Sequence, residues 1–459
     1  MGEYENLRQQ HVADMQRWAP EFVDRLQWSS ARLAEHRTAQ LRALLRTAVD
    51  RSPWHRRRLA GFDVDQVDEA RLNELPVMSK EDLMNNFDEI VTDDRLNLET
   101  AEAHLDRLTG DPYLLGRYHA VASGGSSGRR GVFVYDWDSW AANYLGMIRH
   151  ELRAWTRLRP TSDPVTMAVV AAGRPTHGSS AIFRSYSSHA LSLHRFPIDS
   201  PVDETVEGLN RLQPLVLSGY PSALHALCRA ASAGQLRIDP KRIIGYAEPL
   251  LPEIRACLEE TFSVPVCNWW CASEAFAVAI GCGEGPWMHL SDDLVIVEPV
   301  DDSGRPVPAG ARSAKVLLTN LYNHAFPLIR YELTDEVTLL DEQCPCGSEH
   351  RLVADVEGRL DDSFSYRGVT VHPHVFRSPL SRQRHVIEYQ VHQTLSGAHV
   401  LVRTSGPVDH EALRSEIRHA LSRFVPDAEV SVMQVDAISR QDTGKLKRFV
   451  RLDATACPA

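Results

Sequence analysis

Between about residue 110 and residue 340 the chain repeatedly sets a short apolar run beside a helical stretch, and this alternation limits the folds open to it. The strand candidates are Met167–Ala172, Leu215–Tyr220, Arg242–Ala247, Pro265–Trp269, Leu294–Pro299 and Lys315–Leu321. Helical stretches such as Ala223–Ala231 and Pro252–Phe262 lie between several of them. The pattern predicts an α/β domain.

The flanks read differently. Leu7, Val12, Met15, Trp18, Phe22 and Leu26 recur every three to four residues, so helices are expected from about Tyr4 to Asp50. Ser52-Pro53-Trp54 breaks that pattern, and Ser79-Lys80-Glu81-Asp82 reads as the start of another helix. Toward the C-terminus, Val386–Gln393, His399–Thr404 and Glu429–Val435 alternate like half-buried strands around an amphipathic helix at Glu411–Phe424. A chain of 459 residues exceeds one ordinary core. The expected organisation is therefore a large α/β unit over residues 1–360, including its helical N-terminal segment, and a small α+β unit over 361–459, with the boundary near Gly358–Gly368.

Charge and apolar content exclude several classes. The net charge of −11 and the shortness of the basic runs Arg56-Arg57-Arg58 and Arg129-Arg130 argue against nucleic acid as a partner. No apolar run approaches the roughly 20 residues that span a bilayer. The polar N-terminus has no apolar signal core, so no membrane partner is expected and the expected compartment is the cytoplasm. Eight irregularly spaced cysteines without a secretion signal favour metal binding or burial over a disulfide framework.

Five segments carry residues suited to nucleotide chemistry. Ser123 to Gly131, Ser-Gly-Gly-Ser-Ser-Gly-Arg-Arg-Gly, offers backbone N–H groups, hydroxyls and guanidinium charge to a phosphate, and would equally suit a surface loop. Asn268 to Glu274, with Ser273 beside Glu274, could bring a phosphate and a magnesium ion together, or could be a strand end with a capped helix following. Leu328 to Asp335 ends on a carboxylate able to hold ribose hydroxyls, although turns often carry Asp. Gly358-Arg359-Leu360-Asp361-Asp362 and Ser439 to Arg448, with Gly444-Lys445, are each open to a plainer reading as a turn and a basic tail.

In this order the five segments resemble the adenylate-forming superfamily of acyl-CoA synthetases, peptide-synthetase adenylation domains and luciferases. The phenylacetate-CoA ligase type is the most similar subfamily, on Arg51 to His55, Leu75 to Lys80, Gly219-Tyr220-Pro221-Ser222 and Ala247-Glu248-Pro249-Leu250. The resemblance implies a large adenylate-forming domain followed by a small mobile one. It places ATP on Ser123, Ser126, Ser127, Gly128, Arg129, Ala247, Glu248, Trp270, Asp335 and Arg359. Glu274 is implied as the magnesium-linked carboxylate, Ser273 as a phosphate contact, Asp361 as the hinge, and Lys445 as the catalytic lysine bridging the substrate carboxylate and the α-phosphate. Tyr220, Trp269 and Cys271 are implied as the acid pocket. Arg129, Tyr246, Trp270, Cys271 and Ser273 depart from the family pattern.

The resemblance implies activation of a small acid, an aromatic one favoured, as its acyl-AMP, followed by transfer to CoA. Other acceptors remain open: a carrier protein, an amine in amide formation, or an aryl amine diazotised by activated nitrite. A non-catalytic nucleotide-binding protein is a further reading. Cys344-Pro345-Cys346-Gly347, with Cys282 and His289, is similar to a Cys₃His zinc set found in some members, against the alternative of buried free cysteines. The helical N-terminus could pair two copies as a homodimer if its aromatic residues are exposed.

Overall fold

A computed structural model describes residues 2–109, 113–123, 131–158, 164–171, 181–182, 191–198, 200–354, 356, 363–383, 385–439 and 448–452. The α/β reading holds. The main sheet has nine strands: β1 (Val165–Ala171), β2 (Leu191–Pro197), β3 (Val216–Gly219), β4 (Arg242–Tyr246), β5 (Val266–Ala272), β6 (Ala275–Ile280), β7 (Met288–Leu290), β8 (Leu339–Leu340) and β9 (Leu352–Val353). Their spatial order is β8-β9-β7-β6-β5-β4-β3-β1-β2. Strands β1 to β5 run parallel, and β6 turns the sheet antiparallel.

Two long helices, α1 (Gly2–Arg25) and α2 (Ser30–Arg51), form the N-terminal layer. Ser29 caps α2 by accepting from the Arg32 amide. Leu41, Leu44, Leu45 and Ala48 on α2 pack against Ile296, Leu321 and Ile329, on and beside a second, three-stranded antiparallel sheet. Each leucine removed from water there contributes about 1.5–3 kcal/mol of burial energy. Ser52-Pro53-Trp54 does break α2, but a further short helix begins at once at Pro53. Ser52 caps it and Pro53 fills its first turn, where no donor is needed.

Helix α3 (Trp137–Leu158) crosses the sheet against α1 and β6. Helices α4 (Pro221–Ser232) and α5 (Pro252–Phe262) follow β3 and β4 and fill a separate core with Leu217, Ile243 and Val266. His119–Ala122 and Val132–Tyr135, which flank the Ser/Gly-rich segment in sequence, pair antiparallel.

One sequence expectation fails locally. After Trp269-Trp270 no capped helix follows; the chain turns at Ser273-Glu274 into strand β6, all six residues of which are buried. A strand covered on both faces has no polar alternation to announce it.

From Phe364 onward the residues have their own core, including Phe364, Phe376, Tyr389, Val400, Ile417 and Phe449. Its sheet is built from β10 (Val386–Gln393), β11 (Gly397–Thr404), β12 (Glu429–Gln434) and β13 (Phe449–Val450) in the order β12-β11-β10-β13. Helices α6 (His374–Arg382) and α7 (His410–Ser422) pack on it. Among the described residues no helix is long and apolar enough to cross a membrane.

Candidate active site

Parallel strands place the residues after their C-terminal ends side by side, which is where open α/β sheets bind ligands. Gly219 pairs with Gly245, and Tyr246 pairs with Trp269. Tyr220, Tyr246 and Trp269 therefore line up along one edge, with Tyr220 and Tyr246 in edge contact at 5.8 Å. Cys271 follows two residues on, half-buried, its thiol pushed up to about 12 by burial.

The chain leaves β4 through Ala247, whose φ of 64° lies in the left-handed region that a residue with a Cβ seldom adopts. This turn aims Glu248 back toward α4. Its carboxylate accepts from the Ser222 amide at 3.0 Å and meets the His372 imidazole. Burial alone would raise Glu248; His372 and Ser222 outweigh it and hold the carboxyl below its ordinary value. His372 also lies 5.7 Å from Tyr220, ring to ring. Of the residues assigned to ATP by resemblance, Ala247 and Glu248 thus sit at the strand ends, with Glu248 partnered by the small unit.

Trp270 and Asp335 come together. The indole N–H donates to the Asp335 carboxylate, which burial pushes upward. Across the β5–β6 turn, the Ser273 carbonyl accepts from Tyr135 at 2.5 Å and the Glu274 carbonyl from Asn320 at 2.9 Å. These bonds fix the turn while leaving the Glu274 side chain buried in the site. Burial raises the Glu274 carboxyl, and the nearby Lys80 opposes it.

Lys80 is the residue that sequence reasoning passed over. It opens a short helix whose N-cap Ser79 forms a reciprocal capping box with Asp82. Its ammonium donates to Ser123 Oγ at 3.1 Å. Burial lowers Lys80 to about 8, with Glu274 pulling it up and Arg448 pushing it down. Ser123 and Gly131 close the Ser/Gly-rich segment with reciprocal bonds, Ser123 N–H to Gly131 O at 2.9 Å and Gly131 N–H to Ser123 Oγ at 3.0 Å. A Cβ on Gly131 would stand 2.9 Å from the Phe133 ring and 3.1 Å from Lys80 Cε, so the close approach requires glycine. Ser126, Ser127, Gly128, Arg129, Arg359, Asp361 and Lys445 lie outside the described residues.

The cysteine set converges. The ligand atoms of Cys282, His289, Cys344 and Cys346 all lie within 4.8 Å of one another. Cys282 Sγ is 3.5 Å from Cys344 Sγ, and Cys346 Sγ is 3.4 Å from His289 Nε2. A tetrahedral zinc with Zn–S near 2.3 Å sets its sulfurs about 3.8 Å apart, so the spacing fits that ion. Gly347, at φ 81°, turns the Cys344–Cys346 knuckle. Arg242 donates to the Cys282 carbonyl at 2.9 Å and Arg153 to that of Cys346 at 2.7 Å. Cys282 lies beyond the opposite end of β6 from Glu274, six strand residues or about 20 Å away.

No family model matches the chain. It is 27% identical over 299 residues to a phenylacetate-coenzyme A ligase of Thermus thermophilus, a match covering 58% of this chain and 66%, just under two thirds, of that ligase. It is 25% identical to the phenylacetate-coenzyme A ligase of Escherichia coli, over 90% of this chain and 94% of that one. Among solved structures, a 2-hydroxyisobutyryl-CoA ligase in complex with 2-HIB-AMP and CoA superposes with a TM-score of 0.59 at 21% identity, over 93% of this chain and 91% of its own. The chain is thus a homologue of the phenylacetate-coenzyme A ligases and carries the fold of the adenylate-forming ligases.

Proposed function

We propose that this chain activates a small carboxylic acid, an aromatic acid favoured, as an acyl-AMP and then transfers the acyl group to CoA. The carrying observation is the convergence of Lys80, Ser123 and Glu274 at the mouth of the Ser/Gly-rich segment. Trp270 and Asp335, joined by a hydrogen bond, add a ring to stack on a base and a carboxylate for ribose. The named activity of the relatives supports the acid and the CoA acceptor.

In the first step a carboxylate oxygen bonds to the α-phosphorus while the bridging oxygen leaves with the electron pair as pyrophosphate. Two anions must meet, so positioning and positive charge supply most of the stabilisation. Lys80 neutralises phosphate charge, and Ser123 orients Lys80. Magnesium held with Glu274 would supply further charge neutralisation on the phosphates. The resemblance gives Lys445 the bridge between carboxylate and α-phosphate, with Asp361 as the hinge that later withdraws it. Tyr220, Trp269 and Cys271 bound the acid.

The Cys282, His289, Cys344 and Cys346 set would hold a structural zinc. Such an ion, set apart from Glu274 by the length of β6, would have no part in the chemistry and would join three separate pieces of the sheet margin.

Lys445→Ala tests the reading of the first step. Adenylate formation should fall by several orders of magnitude, since the lysine acts at the charge that develops in the transition state. Near-normal adenylate formation by that variant would contradict the assignment.

A further inference from the structure

Arg448 comes from the small unit, directly after the segment that carries Lys445. Its carbonyl accepts from the Val391 amide at 2.7 Å, which ties its backbone to β10. Its guanidinium lies over the Tyr389 ring at 5.0 Å. The side chain is 6% exposed, yet Nε and Nη2 find no hydrogen-bond partner among the described residues. Arg448 is also near enough to Lys80 for the two charges to repel. Guanidinium groups stay charged in proteins, and buried charges are ordinarily paired. Here a buried guanidinium from the small unit and the half-buried Lys80 ammonium lie near a site whose carboxylate, Glu274, burial raises. Such an arrangement asks for an anion of more than one charge.

We propose that Arg448 is a catalytic residue of the first step, carried by the small unit to the β- and γ-phosphates of ATP opposite Lys80. This rests on the reading of the site as an adenylating one. As the carboxylate oxygen bonds to the α-phosphorus and the Pα–O bond to the β-phosphate breaks, the electron pair leaves on the pyrophosphate. Arg448 and Lys80 bracket that growing charge, and no proton is transferred. The unused N–H groups are fixed by the Tyr389 stack before ATP arrives, so little ordering remains when it binds. The same residue also couples nucleotide binding to the seating of the small unit, because a triphosphate completes a charge set shared by both units.

The test uses the full chain and inorganic pyrophosphate with magnesium as the probe, measured by calorimetry beside AMP. Arg448→Gln should bind pyrophosphate at least about tenfold more weakly than wild type, the loss expected for a charge-assisted bond. AMP affinity should be unaltered, because AMP lacks the phosphates in question. Should Arg448→Gln melt early, Arg448→Met replaces it, keeping an unbranched stem over Tyr389. Wild-type pyrophosphate affinity in the folded variant overturns the proposal. So does an equal loss for AMP, which is what a purely structural role would give, or a wild-type chain that does not bind pyrophosphate. Arg448-dependent pyrophosphate binding in a chain that draws pyrophosphate from ATP with no acid would instead overturn the adenylation reading and the catalytic role, while leaving the anion site in place.

Discussion

His372 reaches across from the small C-terminal unit and meets the Glu248 carboxylate at the rim of the parallel strand ends, 124 positions earlier in the chain. The same carboxylate holds the first turn of α4 through Ser222. Glu248 therefore links the seating of the small unit to helix α4 at the parallel strand ends.

Removing the imidazole should alter acid stability in a defined direction. Glu248 lies below its ordinary value in the folded chain, so the unfolded chain takes up the proton first as pH falls. Its stabilising contribution is present above the ordinary value of 4.5 and is lost as pH drops through the folded value. In His372→Gln burial dominates and the Glu248 carboxyl rises. The acid-unfolding midpoint should move to higher pH, and a double-mutant cycle with Glu248→Gln should return a coupling on the order of 1–3 kcal/mol. Additive single effects would contradict the link.

Lys80 should be needed as the ammonium. Lys80→Met is expected to lower kcat/KM for ATP by on the order of a hundredfold, the scale of losing one charged contact to the reacting phosphates. In the wild type the same parameter should fall as pH rises through about 8, where Lys80 of the free enzyme gives up its proton. That limb should be absent from the variant. For stability the sign is opposite: the unfolded chain holds this proton up to the ordinary 10.5, so between about 8 and 10.5 stability rises with pH.

The contrast between these residues and Glu274 shows what the sequence can carry. Trp270, Glu274 and Asp335 could be singled out because a strand end, a turn and the order of their segments along the chain carry the resemblance, and the structure sets Trp270 beside Asp335. The alternation of apolar runs also foretold β1, β3, β4 and β5 to within a few residues. Lys80 was not legible as a site residue, since a lysine at a helix start reads as solvated surface until Ser123, 43 positions on, comes beside it. His372 and Arg448 were hidden for the same reason: each acts through a partner on another unit. Strand β6 was hidden by its own uniform burial, and Ser273-Glu274 imitated a helix cap.

Gly131 offers a steric check on the Lys80 position. Gly131→Ala would press a methyl against Phe133 and Lys80 Cε, with overpacking expected to cost about 1–3 kcal/mol. ATP affinity should fall with stability, since Lys80 must move. Thermal unfolding and ATP titration on the same variant would show both; an unaltered pair of values would mean the loop base relaxes freely.

Zinc should be present at about one ion per chain in gently purified protein. Stripping it with a strong chelator, or Cys346→Ser, should lower the melting temperature, each 1 kcal/mol corresponding to roughly 2–4 °C for a domain of 150–250 residues and less for a larger one. Elemental analysis and thermal unfolding read this directly. Metal-free protein of undiminished stability would leave the cluster as buried thiols.

The central claim is acid activation by ATP, and its most direct measurement is pyrophosphate release from ATP and magnesium with a panel of aryl and short aliphatic acids, with and without CoA. The account predicts release that depends on one class of acid, and a thioester product once CoA is added. Acid-dependent release without a thioester would keep the adenylation and contradict CoA as acceptor, directing the search to amines, carrier proteins or nitrite with an aryl amine. A chain that binds ATP yet releases no pyrophosphate with any acid of the panel would contradict the account.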